Sequence, residues 1–264
     1  MTEPKKLKVI QITDTHLFQD EVCSLQGINT FASFSLAIES IKENHPKIDL
    51  ILVTGDIAQD HNLHTYRKFI EVMCQNFDCP THWIPGNHDS LPSMRDADTQ
   101  GFENPNFELG GWQFIMLNSG VYGKVHGNIE PASIEQMNEY LNEHKKPTLV
   151  CFHHHPILMD SAWIDTQRIR NSEFLLGQIH QHDQVKIITW GHVHQESQKQ
   201  INKIEYMSTP STCFQFKPKQ QQYQLDDLLP GYRWFELNQD GTFTTGIDRV
   251  HIDNYHVDHQ SEGY

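Results

Sequence analysis

The chain has 264 residues, with 20 Lys and Arg against 34 Asp and Glu, a formal charge of −14. That length can bury one large core, and a single α/β domain over 1–264 is the default expectation. So negative a field repels nucleic acid and anionic lipid, so neither is expected as a partner; a small anion can bind only where local positive charge is supplied.

In chain order, Leu7 to Thr13 reads as a buried strand ending in Asp14-Thr15-His16. Asn29 or Thr30 caps a helix to about Glu43, with Phe31, Phe34, Ala37, Ile38 and Ile41 at helical spacing. Ile48 to Thr54 is a second strand, apolar on both faces, that stops abruptly at Gly55-Asp56. A helix from about His61 to Cys74 and a strand from Cys79 to Pro85 follow, the latter ending in Gly86-Asn87-His88-Asp89. Residues 91–105 read as a short helix and loop. Phe107 to Asn118 reads as a hairpin turning at Gly110-Gly111. A helix from Ala132 to Glu143 leads into the strand Thr148 to Phe152 and then His153-His154-His155. Residues 156–172 form a long connection, and Ser172 to Gln181 is helical. Val185 to Trp190 ends in Gly191-His192-Val193-His194. The rest reads as β: Lys199 to Met207, Arg233 to Leu237, a turn at Gln239-Asp240-Gly241, and Thr242 to Ile252. The alternation predicts a layered α/β domain, with a second sheet built from the hairpin and the C-terminal strands.

Five cysteines with no Cys-x-x-Cys pair fit reduced thiols better than a disulfide framework. Lys5-Lys6 lead straight into the first strand without a signal-type apolar region, and no stretch approaches a membrane span. The expectation is a cytoplasmic protein with no membrane association and no obligate protein partner.

Five strands thus end in side chains that bind metals. If they share one sheet, all five tips meet at one edge, where open α/β folds place their sites. Two divalent cations about 3.5–4 Å apart need an anionic oxygen between them, which a carboxylate supplies and an imidazole does not. Asp56 is therefore read as the bridge. Asp14, His16 and His194 complete one ion; Asn87, His153 and His192 complete the other. Two divalent ions less two carboxylates and one bridging hydroxide leave one net positive charge, matched to a phosphodiester monoanion. The mixed nitrogen and oxygen donors suit iron or manganese, with zinc or cobalt as alternatives. Substrate phosphate would then lie against His16, Asp56, Asn87, His88 and His194. His88, not needed as a ligand, is the candidate general acid for the leaving oxygen, oriented by Asp60 or Asp89.

Asp14-x-His16, Gly55-Asp56, Gly86-Asn87-His88-Asp89, His153-His154 and Gly191-His192-x-His194, in this order, resemble the calcineurin-like metallophosphoesterase superfamily. Ile10 to Phe18, Thr54 to Asp60, His153 to Pro156, Ser208 to Pro218 and Ser261 to Tyr264 are similar to its class III cyclic nucleotide phosphodiesterases. The resemblance runs end to end. It implies a four-layer α/β/β/α sandwich and hydrolysis of a small cyclic nucleotide, 3′,5′-cyclic AMP, to 5′-AMP. Alignment to the first histidine of the family pair favours His153 as the ligand, with His154 second and His155 an option in a shifted register. Many members carry an acid three residues beyond the bridging aspartate; here Gln59 stands there and Asp60 follows. Trp163, Arg168, Arg170, Asn171, Phe214 and Phe216 are candidates to read the base. The competing readings are another phosphoester (a 2′,3′-cyclic nucleotide, a nucleotide pyrophosphate or a phosphoprotein) and an inactive metal- or nucleotide-binding regulator.

Overall fold

The computed structural model describes residues 6–261 and 263; Lys5, Glu262 and Tyr264, which fall in stretches quoted above, lie outside them. The chain opens with Leu7–Ile12 (β1), the small hairpin Ser24–Leu25 (β2) and Ile28–Asn29 (β3), and the helix Thr30–Asn44 (α1). Leu50–Val53 (β4), Leu63–Asn76 (α2), Thr81–Trp83 (β5) and Leu91–Ala97 (α3) follow. Next come the hairpin Asn106–Leu109 (β6) and Trp112–Met116 (β7), Pro131–Glu143 (α4), Thr148–Phe152 (β8), Ala162–Asp165 (α5) and Ser172–Ile179 (α6). The remaining elements are Val185–Trp190 (β9), Ser197–Ile201 (β10), Ile204–Ser208 (β11), Gln215–Phe216 (β12), Leu225–Asp226 (β13), Gly231–Leu237 (β14) and Phe243–Arg249 (β15).

Side-chain alternation along the buried strands sets the layers. In β4, Leu50 and Leu52 meet Leu149, Cys151 and Ile187 of the facing sheet, while Ile51 and Val53 meet Phe34, Ile38 and Phe69 of α1 and α2. In β8, Leu149 and Cys151 face inward, and Val150 and Phe152 pack on Met137 and Leu141 of α4 and Leu175 of α6. The result is the expected α/β/β/α sandwich. One sheet has the order β15-β14-β1-β4-β5 and the other β10-β11-β9-β8-β7-β6. β1, β4 and β5 run parallel, as do β7, β8, β9 and β11, with antiparallel strands at the edges, so both sheets are mixed.

Three sequence expectations need correction. The five motif-bearing strands do not share one sheet: β1, β4 and β5 lie in one, β8 and β9 in the other. Of the C-terminal strands, β10 and β11 lie in the sheet of the hairpin β6–β7, as expected, but β14 and β15 do not. They extend the first sheet, where β14 pairs antiparallel with β1 and turns Phe235 and Leu237 into the space between the sheets. Finally, Lys199 to Met207 is a hairpin rather than one strand. Asn202 and Lys203 take φ of 50° and 68°, as a two-residue turn with both positions left-handed requires.

After β15 the chain runs back over the β2–β3 hairpin. Val257 is buried in the core, Tyr255 Oη donates to Cys213 O (3.1 Å), and Asp258 N donates to Gln26 O (2.9 Å). Gln26 Nε2 in turn donates to Gly263 O (3.2 Å).

A polar cross-tie joins the sheets beneath the site. Gln11 of β1 donates through Nε2 to Thr54 Oγ1 (2.9 Å) and accepts at Oε1 from Thr189 Oγ1 of β9 (2.6 Å). All three residues are fully buried. Gln11→Ala removes the amide and leaves the Thr189 hydroxyl unpaired in the interior. The expected loss is about 1–3 kcal/mol in a urea melt, against the change within about 0.5 kcal/mol typical of surface substitutions.

Candidate metal centre

Backbone geometry delivers the polar side chains. Asp14, His16, Asp56, His192 and His194 have φ of 53°, 46°, 51°, 63° and 45°, the left-handed region that L-residues occupy at a cost on the order of 1–2 kcal/mol each. Hydrogen bonds hold these turns: Asp14 N to Gly55 O (2.9 Å), His16 N to Asp56 O (3.0 Å), and His192 N to Asp14 Oδ2 (3.0 Å). Two glycines permit the close approach. A Cβ at Gly86 would collide with the Asp56 carboxylate, and one at Gly191 with Thr13 Oγ1.

At the same edge of the sandwich the two sheets therefore bring seven predicted residues together. Asp56 Oδ2 lies 3.2 Å from His153 Nε2 and 3.9 Å from His16 Nε2, and its Oδ1 accepts from His88 N (2.8 Å). His153 Nε2 lies 3.2 Å from Asn87 Oδ1. His194 Nε2 lies 3.3 Å from Asp14 Oδ1 and 3.2 Å from His16 Nε2. Three sets have donor atoms mutually within 4.8 Å: Asp14, His16 and His194; Asp14, Asp56 and His153; and His153, His154 and His192.

The outer ring nitrogens explain why the inner ones fit a cation. His16 Nδ1 is 2.8 Å from Gln59 Oε1, His153 Nδ1 is 2.7 Å from Thr54 O, and His194 Nδ1 is 2.8 Å from Phe214 O. A carbonyl oxygen only accepts, so each Nδ1 carries a proton; the Nε2 of His16 and His194 then presents a lone pair inward, and His153 Nε2 presents one once the proton it shares with Asp56 is displaced. Two such lone pairs, on His16 and His194, face each other, an arrangement that a shared cation satisfies. The Nε2 atoms of His192 and His154 are buried with no hydrogen-bond partner among the described residues. Carboxylates, imidazoles and one amide oxygen in two adjoining groups fit a pair of transition-metal ions.

Charge coupling is strong in this pocket. Burial alone would raise the Asp56 carboxyl, but His153, His88 and His16 overcome it and hold the carboxyl well below the usual range. Burial likewise works against protonated His153, yet Asp56 wins and raises it to about 9. Burial dominates at His16, lowered to about 3, and at His154 and His192, both held well below the ordinary imidazole value.

Other candidates stand apart. Asp60, expected to orient His88, instead accepts from Gln19 N (2.6 Å), Asn62 N (3.0 Å) and Thr65 Oγ1 (2.8 Å), so its carboxylate organises the entry to α2. Asp89 accepts from Ile57 N, Ala58 N, Gly86 N and Tyr66 Oη, which staples the Gly55-Asp56 turn to the Gly86-Asn87 turn. His155 stands 3.4 Å from Asp165, outside the three sets. Asn171 pairs with the backbone of Ile129 through both amide atoms.

Sequence reasoning missed the backing residues Gln59, Thr13 and Ser119. Thr13 Oγ1 donates to Asp14 Oδ2 (2.7 Å), and Ser119 Oγ lies 2.8 Å from His154 Nδ1. Gln59, three residues past Asp56, was visible as a departure from the family pattern, but its contact with His16 was not.

Beside the centre is a cavity of ≈ 210 Å³ whose lining includes Asp56, His88, Trp163, Phe216, Tyr223 and Gly263. Phe216 stacks on His194 (ring centroids 4.3 Å, 22°) and meets Trp163 and Tyr223 edge-on at 5.0 and 5.5 Å. Trp163 Nε1 and Tyr223 Oη are buried without a hydrogen-bond partner among the described residues. A larger open groove of ≈ 1110 Å³ lies at the other end of β1, but its Lys6, Lys8 and Lys42 are engaged by Glu236 and Asn76.

Residues 7–196 match the family model described as calcineurin-like phosphoesterase. The chain is 40% identical to the 3′,5′-cyclic adenosine monophosphate phosphodiesterase CpdA of Haemophilus influenzae, over 99% of this chain and 97% of that protein. It is 36% identical to a 3′,5′-cyclic-nucleotide phosphodiesterase of Nostoc sp., over 95% of each. Its fold is similar to that of a purple acid phosphatase from yellow lupin seeds (TM-score 0.66, 13% identity, 97% of this chain and 53% of the other). A match spanning most of the chain, on a sandwich with metal-capable residues at facing strand ends, places it: the chain belongs to the calcineurin-like phosphoesterase family.

Proposed function

We propose that the chain is a metal-dependent phosphodiesterase that hydrolyses 3′,5′-cyclic AMP to 5′-AMP, acting as one domain. The observation that carries this reading is the 40% identity, across nearly the whole of both chains, to a protein named for that reaction. Two transition-metal ions, iron or manganese first and zinc or cobalt next, would be held by Asp14, His16 and His194 on one side and Asn87, His153 and His192 on the other, sharing Asp56. When bound, such a pair supplies a water of lowered pKa and positive charge for the phosphate oxygens.

The chain's own residues do the rest. The Nδ1 contacts to Gln59, Thr54 and Phe214 fix the tautomers and orientations of His16, His153 and His194, so binding a cation needs no rotation of these rings. Asn87 offers an amide oxygen that adds no negative charge to a site meant for an anion, and its nitrogen can donate to a phosphate oxygen. His88 is held by its own N–H on Asp56 Oδ1, beside the cavity. As water oxygen joins phosphorus and the P–O3′ bond breaks, the His88 ring donates a proton to O3′, leaving the ribose hydroxyl and a 5′-phosphate. The local cationic centre also offsets the repulsion that a −14 chain exerts on an anion.

Product analysis tests the reaction: 5′-AMP from 3′,5′-cyclic AMP, with turnover lost to chelator and restored by manganese. Turnover of 2′,3′-cyclic AMP with none of the 3′,5′ ester would replace this reading with the other phosphoester class. His88→Ala is expected to lower kcat by about 10²–10⁴-fold while equilibrium manganese binding persists. Near-full turnover in that variant removes the proton-donor role. Because Asp56 keeps His153 protonated up to about pH 9, cation binding at pH 7.5 must displace that proton. Calorimetric titration of manganese in buffers of different ionisation heat should report about one proton released, falling toward none above pH 9.

A further inference from the structure

The aromatic cavity beside the metal centre has features that the phosphate chemistry does not use. Its inner end holds Asp56, Asn87, His88 and His192; Trp163 and Tyr223 also line it. Phe216 stands between the two parts, stacked on His194 and touching both the Trp163 and Tyr223 rings. Trp163 and Tyr223 pack edge to face at 5.2 Å, and each retains a buried polar atom without a hydrogen-bond partner among the described residues. Buried polar atoms are normally paired, and these two belong to side chains that line one cavity. They are a donor, Trp163 Nε1–H, and a hydroxyl that both donates and accepts, Tyr223 Oη.

We propose that this cavity is the nucleobase subsite, with the Phe216 and Trp163 rings as its apolar walls and Trp163 Nε1 and Tyr223 Oη as the groups that hydrogen-bond the base edge. The inference rests on the phosphodiesterase reading, because the inner end must hold the phosphate for the outer end to receive the base. A purine presents a flat π-face to the aromatic walls, and its ring nitrogens accept from Nε1–H. The exocyclic group pairs with Tyr223 as donor or acceptor, so the hydroxyl serves an adenine amino group or a guanine carbonyl. The cavity, at ≈ 210 Å³, is below the usual range of about 300–1,000 Å³ for ligand sites, so it is assigned the base alone and not the whole nucleotide. Gly263, tied to Gln26, forms part of the wall and adds no side chain to compete with the base.

The test compares 5′-AMP with ribose 5-phosphate, which differ by the base, in calorimetric titrations of manganese-loaded protein. Wild type is expected to bind 5′-AMP about ten-fold or more tightly than ribose 5-phosphate, the range that base–aromatic stacking supplies. Trp163→Ala should narrow that ratio to within about three-fold. Trp163→Phe and Tyr223→Phe, which keep the rings and delete one polar atom each, should narrow it partly and serve if the alanine variant misfolds. Equal affinities in wild type, or a ratio unmoved in both phenylalanine variants, overturn the subsite. A preserved 5′-AMP preference in a protein that does not cleave 3′,5′-cyclic AMP leaves the subsite standing and removes the phosphodiesterase reading.

Discussion

Asp56 is the residue through which both halves of the sandwich are registered. Its backbone oxygen accepts from His16 N on the neighbouring strand end, its Oδ1 accepts from His88 N, and its Oδ2 faces His153 across the gap between the sheets. Nearly total burial gives this carboxylate a strong local field, and the surrounding imidazoles must supply the compensation that water would otherwise provide. A change at Asp56 is thus felt by three turns and both sheets. The left-handed backbone at Asp14, His16, Asp56, His192 and His194 belongs to the same constraint. Five strained turns at one edge persist because the hydrogen bonds around them leave no relaxed alternative.

The strands and helices were legible because burial on both faces writes continuous apolar runs and because Asn29 caps the first helix; Asn62 caps the second, one residue inside its expected start at His61. Which strands would be neighbours was not legible. Alternation reports how a strand is buried, not what lies beside it, and the sorting of β1, β4 and β5 from β8 and β9 is set by pairings such as Val9 with Leu50, Ile51 with Thr81 and Leu149 with Ile187, which alternation does not encode. The site residues could be read as a set without this knowledge, since both sheets end at the same edge.

Finer assignments failed where a local rule was carried past its domain. The triple histidine suggested that alternate residues share a face. The strand ends at Phe152, however, and beyond it His153 and His154 both bring a ring nitrogen within 4.8 Å of one on His192, while His155 stacks its ring on His192 (centroids 5.7 Å) and stays outside that set. Asp60 looked like a partner for His88 from sequence proximity to Asp56. A carboxylate ahead of a helix has another use, and here it gathers the amides and hydroxyl at the α2 entry. Gln59 faces His16 because the parallel bridge between Leu17 and Ala58 brings these two loops side by side.

The path of the chain after β15 ties a distant hairpin to the cavity mouth. Gly27 has φ of +84°, and a Cβ there would lie 3.0 Å from Asp258 N and 3.1 Å from His256 O. The segment it would displace is the one whose Gly263 borders the opening next to Trp163 and Tyr223. The β2–β3 hairpin thus meets the returning chain twice, at the Gly27 approach to Asp258 and through the Gln26 amide on Gly263 O at the cavity wall. A side chain at Gly27 would press on the backbone of that segment rather than on the turns that carry the metal-binding side chains.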